Sequence, residues 1–318
     1  MMDDASSTWL DVLAGDPVHH TAFSNLQALW AAYRSERAAG CSPFSAAVRV
    51  AFRADRLGHA FAVGYPAALE HMVGELEVPC ALCVTERGGN SPRSIATKLD
   101  SVAGGYQLRG TKSFVTFGTL AKTLLVACRE GEKPDGRPDL AVVRIPANRE
   151  GVVITELPPT PFVPEVVHAS VELGDVVVAQ SERLPGDGYL AYVKPFRTIE
   201  DIHVVGAALG YVVGWSQRAG GPTDLVADLS ACLAALDAIR TSPPLDARMH
   251  IVLEGVLRRV GSLLAGARFA DLLQSADEDE RARWVRDRAL LDVASKARAA
   301  RFGRARQDLG WSGDPGRG

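Results

Sequence analysis

The chain has 318 residues, 47% apolar and 23% charged, a globular balance that excludes intrinsic disorder and is long enough for two or three packed units. A formal net charge of -3 with a pI near 6.2, and basic residues spread among acids, argue against a nucleic-acid partner and for a small-molecule function. No run of about 18 apolar residues exists to span a bilayer, Met1-Met2-Asp3-Asp4 lacks the order of a secretory signal, and five cysteines form no disulfide framework, so a reducing cytoplasm is the simplest expectation.

Residues up to about 78 read as helical. Phe23 to Ala38 carries Phe23, Leu26, Leu29, Trp30 and Tyr33 at helical spacing, and Ser45 to Val73 is a second Ala- and Leu-rich stretch in which Gly58 and Gly64 permit close helix contact. From Pro79 to about Arg183, short β-branched runs alternate with turn residues: Cys80–Thr85, Tyr106–Arg109, Ser113–Thr116, Leu124–Ala127, Leu140–Ile145, Val152–Thr155 and Val166–Val171. About seven strands at this spacing predict an antiparallel sandwich or barrel, and the lack of alternating helices excludes a doubly wound nucleotide fold. After Pro185-Gly186-Asp187-Gly188 the helical period returns: Thr198 to Arg218, Asp224 to Arg240, Arg248 to Ser275 and Glu280 to Leu309. Gly313-Asp314-Pro315-Gly316 is expected to fray.

Generic sites fail first. There is no GxGxxG after a strand, no GxxxxGK[ST], no HExxH and no GxSxG. Cys80-x-x-Cys83 has no second pair at zinc spacing and reads as two small buried hydrophobes. His19-His20, in a predicted loop, read as surface histidines.

The informative stretch is Cys83 to Cys128. Val84-Thr85-Glu86-Arg87-Gly88-Gly89-Asn90-Ser91 resembles the "TEPGAGS" loop of acyl-CoA dehydrogenases, and Gly110-Thr111-Lys112-Ser113-Phe114-Val115-Thr116 resembles the "GxKxWIT" strand of the same family. Leu120 to Val126 matches the next segment of that family, and Val171 to Val178 resembles the "F-D-V-V-P" strand that closes the middle domain. The order and spacing of these motifs cover the chain from roughly residue 45 to 310. The resemblance implies that Thr85 reaches a flavin ring, Ser91 the pyrophosphate, Phe114 (in the place of the family's tryptophan) the isoalloxazine face, and Thr116 the neighbourhood of flavin N5. A glycine-rich turn bringing N–H groups to a phosphate, with a flat apolar wall and donors along the polar edge, suits that cofactor. The alternative is a plain hairpin turning at Gly88-Gly89. Arg87, Asn90 and Pro92 depart from the family pattern and stiffen and enlarge the loop.

Dehydrogenating an acyl thioester needs a carboxylate for the α-proton. The family's usual glutamate comes after a Gly-rich C-terminal segment, expected beyond Gln307-Asp308-Leu309-Gly310-Trp311, where this sequence ends within a few residues. A minority carries the base on the first helix after the sandwich, and the resemblance then points to Glu200, ahead of the nearly uncharged stretch Ile202 to Trp215 broken only by His203. In an apolar cavity such a carboxylate has a raised pKa suited to proton abstraction. The alternative is a solvated acid in a first helical turn, as Asp201 is expected to be. Arg240 falls near the family's arginine that binds the FAD diphosphate of a partner subunit, with Pro243-Pro244 in the Phe-Gly place; capping its own helix is the alternative.

The reading is an α+β, acyl-CoA dehydrogenase-like fold: an N-terminal helical domain (1–78), a middle antiparallel β-sandwich or barrel (79–186) and a C-terminal helical bundle (187–318), both helical parts shortened. The resemblance implies FAD-dependent α,β-dehydrogenation of an acyl-CoA or carrier-bound acyl thioester, as in fatty-acid metabolism. It implies an electron-transfer flavoprotein as reoxidant and a homodimer or homotetramer. The second reading is an inactive homologue that binds an acyl thioester or a partner.

Overall fold

The structure, a computed structural model, describes residues 8–14, 23–89 and 91–311. The opening Met-Met-Asp-Asp, His19-His20, Asn90 and the Gly313–Gly316 segment lie outside the described residues. The chain divides into two compact units, one made of the sequence up to Ala67 and from Thr198 onward, the other of Ala68–Arg197.

In the first unit a short 3-10 turn (Trp9–Leu13) precedes α1 (Leu26–Ala38), α2 (Pro43–Phe52) and α3 (Leu57–Val73). Asn25 caps α1 by accepting from Ala28 N–H at 2.9 Å, and Ser42 caps α2 with Pro43 just inside the helix. The single stretch expected over Ser45–Val73 is thus two helices, separated at Arg53–Arg56. Arg218 fixes that break from outside, donating to the Phe52 and Ala54 carbonyls at 2.7 and 2.8 Å. Two guanidinium bonds to carbonyls at the end of α2 close the helix where periodicity alone would continue it.

Helix α4 (Lys194–Arg218) carries a glycine at every fourth residue: Gly206, Gly210 and Gly214. Each faces a matching residue of α2 (Phe44, Val48 and Phe52), and a Cβ on Gly210 would lie 2.7 Å from the Val48 carbonyl oxygen. These glycines cost helix propensity and repay it in backbone approach. Gly64 of α3 meets α4 in the same way, 2.8 Å from Val204 Cα if given a Cβ.

The bundle continues with α5 (Thr223–Ile239), α6 (Ala247–Leu264), α7 (Ala267–Ser275), α8 (Glu278–Asp287) and α9 (Ser295–Asp308). Two helices expected as continuous are each split, at Ala265-Gly266 and at the 3-10 turn Arg288–Asp292. Trp215, Tyr211, Phe269 and Trp284 form one buried ring cluster, with Phe269 and Trp284 centroids 4.9 Å apart. That packing lets the short helices α7 and α8 hold without long amphipathic runs.

The second unit is a curled seven-stranded sheet: β1 (Cys80–Cys83), β2 (Lys98–Val102), β3 (Gly105–Thr116), β4 (Thr123–Glu132), β5 (Pro138–Pro146), β6 (Val152–Glu156) and β7 (His168–Ala179). The order is β1-β4-β2-β3-β7-β6, with β5 on the free side of β4. The all-antiparallel expectation needs one correction: β1 and β2 both run parallel to β4, and the sheet is mixed. The residues between β1 and β2 form the glycine loop, in which Glu86 and Gly89 exchange backbone hydrogen bonds of 2.9 and 2.8 Å in a tight turn around Arg87-Gly88, close to the turn expected at Gly88-Gly89, before the chain crosses to β2. Strand β2 was not foreseen, because Lys98-Leu99-Asp100-Ser101-Val102 buries only Leu99. The expected Tyr106–Arg109 and Ser113–Thr116 strands are the two ends of β3.

The inner face packs Leu99, Leu108, Val115, Leu124, Val126, Val143, Ile145, Val171, Val176 and Val178 into one core. At about 25 cal/mol per Å² of apolar surface, this face is what holds the sheet curled. A π-helical turn (Gly188–Val193) leads out of the sheet unit, with Gly188 packed on the Leu140–Ala141 backbone so closely that a Cβ would sit 2.6 Å from the Ala141 carbonyl carbon.

Candidate functional site

Strand β3 turns its outer face into a site through a change of parity. Leu108, Gly110 and Lys112 point inward, and so does Val115, an odd step later. Two β3 residues, Ser113 and Phe114, are spanned by a single β7 residue between the pairs Lys112↔Val171 and Val115↔Ala169. A bulge of this kind re-aims side chains. Without it Phe114 would enter the core and Val115 would face out. Instead Phe114 stands outward with φ of +52° and 63% of its surface exposed. A left-handed phenylalanine left in solvent gives up roughly 1–3 kcal/mol of strain and burial. Such an arrangement marks a surface built for something to lie on.

Thr85 meets the same bulge. The Ser113 N–H donates to the Thr85 carbonyl at 2.8 Å, joining the loop after β1 to β3. Thr116 pairs with His168 across β3 and β7, and the His168 ring stands edge-on to Phe114 with centroids 6.0 Å apart. Burial holds the His168 pKa below the ordinary histidine value, and a backbone hydrogen bond at Val166 offsets part of that. Thr85, Phe114 and Thr116 are therefore gathered around one bulge.

Beneath them, Glu86 and Lys112 form a buried ion pair, Oε1 to Nζ 2.7 Å. The same Glu86 carboxylate accepts from the Ala96 N–H (2.8 Å), the Thr97 N–H (3.0 Å) and the Thr97 hydroxyl (2.7 Å). Burial alone would raise the Glu86 pKa, but Lys112 and these donors outweigh it and hold it below the usual carboxylate value. Burial draws Lys112 down, and Glu86 offsets part of that shift. Gly110 is required here, since its φ is +152° and a Cβ would lie 2.7 Å from Thr97 Cα. Glu86, Lys112 and His168 were missed as site residues. Lysine at an inward parity position of a strand, with an acid in the adjacent motif, was the signal available for the first two.

An open cleft of about 830 Å³ runs along this face, lined by Arg87, Gly88, Ser94, Thr111, Ser113 and Glu172 among others. A Cβ on Gly88 would make only ordinary contact with Ser94, at 3.6 Å, so no neighbour among the described residues demands glycine there. Phe114 does not line this cleft; an absent side chain at Gly88, the hydroxyls of Ser94, Thr111 and Ser113 and the Arg87 guanidinium form a donor set that fits the phosphates of a flavin dinucleotide, beside the exposed Phe114 ring on the same strand.

Ser91 does not line this cleft but touches a residue that does. Its hydroxyl lies 2.7 Å from that of Ser94, and Ser91 itself lines a second cleft with Arg93, Lys133, Arg137 and Lys194. Arg240 is the C-cap of α5, and its guanidinium pairs with Asp237 one turn back. Glu200 is partly buried in the second turn of α4, which begins at Lys194. Its neighbour Asp201 is not the solvated first-turn acid expected: it is 5% exposed and takes Arg298 at 2.7 Å and Arg301 at 2.8 Å. Arg301 also donates to the Thr198 hydroxyl at 3.3 Å. The distant α9, out of reach of periodicity reasoning, brings both arginines.

All five cysteines are buried thiols, and burial pushes Cys83 and Cys128 up to about 12, which makes them inert. Among the described residues no group of three or more His, Cys, Asp or Glu could hold a metal ion, and no helix is long and apolar enough to cross a membrane.

Residues 81–176 match the family "Acyl-CoA dehydrogenase, middle domain". No curated protein matches the chain. Among solved structures it is similar to butyryl-CoA dehydrogenase from Megasphaera elsdenii, at 17% identity and TM-score 0.61 over 82% of this chain and 80% of that one. It is also similar to PigA with FAD and proline, at 12% identity and TM-score 0.62 over 91% and 89%. A third is FkbI, for biosynthesis of a methoxymalonyl extender unit, at 16% identity and TM-score 0.59 over 88% and 85%. Residues 81–176 thus match an acyl-CoA dehydrogenase middle domain, and these solved structures share the α+β fold of the chain, with helices on either side in sequence of the curled sheet.

Proposed function

We propose that the protein is an FAD-dependent dehydrogenase that introduces an α,β double bond into an acyl thioester. The observation that carries this reading is the outward, left-handed Phe114 on its bulge, flanked by Thr85 and Thr116. An apolar ring held off the core at a cost in strain serves as one wall for a planar cofactor. PigA, of the same fold, holds FAD, and the butyryl-CoA dehydrogenase carries a thioester substrate in its name.

In this reading Phe114 keeps water from one face of the ring, while Thr85 and Thr116 supply hydrogen bonds along its polar edge. The hydroxyl-lined cleft and Arg87 take the phosphates. Ser91 and Arg240 stay as secondary candidates for that role, Arg240 being already engaged with Asp237. Bound there, FAD supplies the acceptor for the hydride leaving the substrate β-carbon. Glu200 takes the α-proton onto its carboxylate, so that proton and hydride leave as a pair and a C=C bond remains. An electron-transfer flavoprotein is the matching reoxidant, and a homodimer or homotetramer the matching assembly.

Purified protein is expected to be yellow, with about one flavin per chain after mild reconstitution. Colourless protein that takes up no added FAD overturns the dehydrogenase and leaves the reading of an inactive thioester- or partner-binding homologue.

A further inference from the structure

The second cleft, of about 330 Å³, lies on the sheet unit, shares the Pro92–Ser94 turn with the first through Arg93 and Ser94, and is lined by basic residues from three separate elements. Arg93 comes from the 3-10 turn Pro92–Ser94, Lys133 and Arg137 from the β4–β5 hairpin, and Lys194 from the start of α4. Lys133 is paired with Asp187, and Arg137 with Asp135 at 2.6 Å. Arg93 and Lys194 are exposed and have no acidic partner among the described residues. The chain as a whole carries -3, so this face is locally opposite in sign to the protein.

Two further features decide what fits. Leu190, 49% exposed, lines the cleft together with Pro92 and Pro138, so apolar and basic side chains share one surface, as at protein docking sites. The backbone donors of the adjoining turn are already used: Asp187 accepts from Tyr189 N–H at 2.8 Å and Leu190 N–H at 2.9 Å. Those two N–H groups are therefore not free to cradle a phosphate. Long side chains spread over an exposed rim suit carboxylates dispersed along a helix better than one tightly held nucleotide.

We infer that this cleft docks an acidic carrier-protein domain, and that the thioester substrate arrives on that carrier's phosphopantetheine arm instead of on free coenzyme A. The inference rests on the acyl-thioester reading above.

The test is fluorescence anisotropy with a labelled acidic acyl carrier protein, its arm closed by a non-hydrolysable acyl thioether, against coenzyme A carrying the same acyl group. The carrier is expected to bind saturably and to weaken about tenfold between about 50 and about 200 mM salt. Arg93→Glu with Lys194→Glu should weaken it a further tenfold or more, and Leu190→Ala should weaken it too, while coenzyme A binding stays unchanged. Three results overturn the inference: no carrier binding, carrier binding indifferent to the charge reversal, or equal loss of coenzyme A binding. An acidic bystander protein of similar charge that binds equally well also overturns it. Flavin content is read on the same samples. Colourless protein that still binds the carrier sinks the dehydrogenase alone, and yellow protein that ignores the carrier sinks this inference alone.

Discussion

Glu86 and Lys112 meet at 2.7 Å beneath the candidate site, one residue after Thr85 and two before Phe114. One ion pair thereby fixes the spacing of the two segments on which a cofactor would lie. Removing either partner leaves a buried charge unpaired, which costs about 3–5 kcal/mol. Glu86→Gln and Lys112→Met should each lower stability by about that much in urea titrations. The double variant should cost clearly less than their sum, a coupling of about 1–3 kcal/mol. Additive losses would mean that the two groups act separately.

The neutral state of His168 sets a pH dependence whose sign can be worked out. Its folded pKa lies below the ordinary value of about 6.5. Between the two values the unfolded chain binds more protons than the folded one, so stability rises with pH across that window and levels off above about 6.5. The His168 Cε1–H resonance, assigned by its loss in His168→Gln, should titrate below free histidine, and that variant should show a shallower acid slope in thermal melts. A resonance titrating above about 6.5 would reverse the sign.

Much of this arrangement was legible in the sequence, and the illegible part has identifiable causes. Alternation and turn residues located the strands at Leu124–Ala127, Leu140–Ile145 and Val152–Thr155, all inside observed strands. Strand β2 escaped because a strand with one buried residue carries no period-two signal. The bulge at Ser113-Phe114 escaped because it is specified across the sheet, by the register of β7, not along β3. The split at Arg53–Arg56 depends on Arg218, and the burial of Asp201 on Arg298 and Arg301, each far off in sequence. Local pattern fixes elements; side chains arriving from elsewhere decide where they stop and which charges are buried.

The Asp201 network makes α9 a structural element of the bundle. Asp201→Asn keeps the shape but leaves Arg298 and Arg301 without their shared carboxylate, which should cost about 3 kcal/mol or more. Hydrogen exchange should then show α9 amides opening ahead of those of α4. Unchanged protection of α9 would mean that its apolar contacts hold it and the ion pairs are incidental.

Phe114 separates stability from binding. Glycine tolerates the left-handed backbone at φ +52°, so Phe114→Gly should leave the flavin-free fold as stable as the parent or up to about 1 kcal/mol more so. FAD affinity should fall by about tenfold or more, and Phe114→Trp should restore it, since a larger ring offers the same wall. A glycine variant that unfolds more easily and binds FAD normally would assign Phe114 to packing.

In the proposed reaction Glu200 is the residue to test first, because the proton and the hydride depart from adjacent carbons and only one of them needs a protein base. Glutamine keeps the size and polarity of the side chain but cannot accept the proton. Glu200→Gln should therefore retain FAD at parent stoichiometry while bleaching of the flavin by an acyl thioester slows by about 100-fold to 10,000-fold. Since Asp201 is held by two arginines, it is no substitute base, and Asp201→Asn should slow bleaching only in proportion to folded protein lost. Bleaching at the parent rate in Glu200→Gln would remove Glu200 from the role and move the search to another carboxylate.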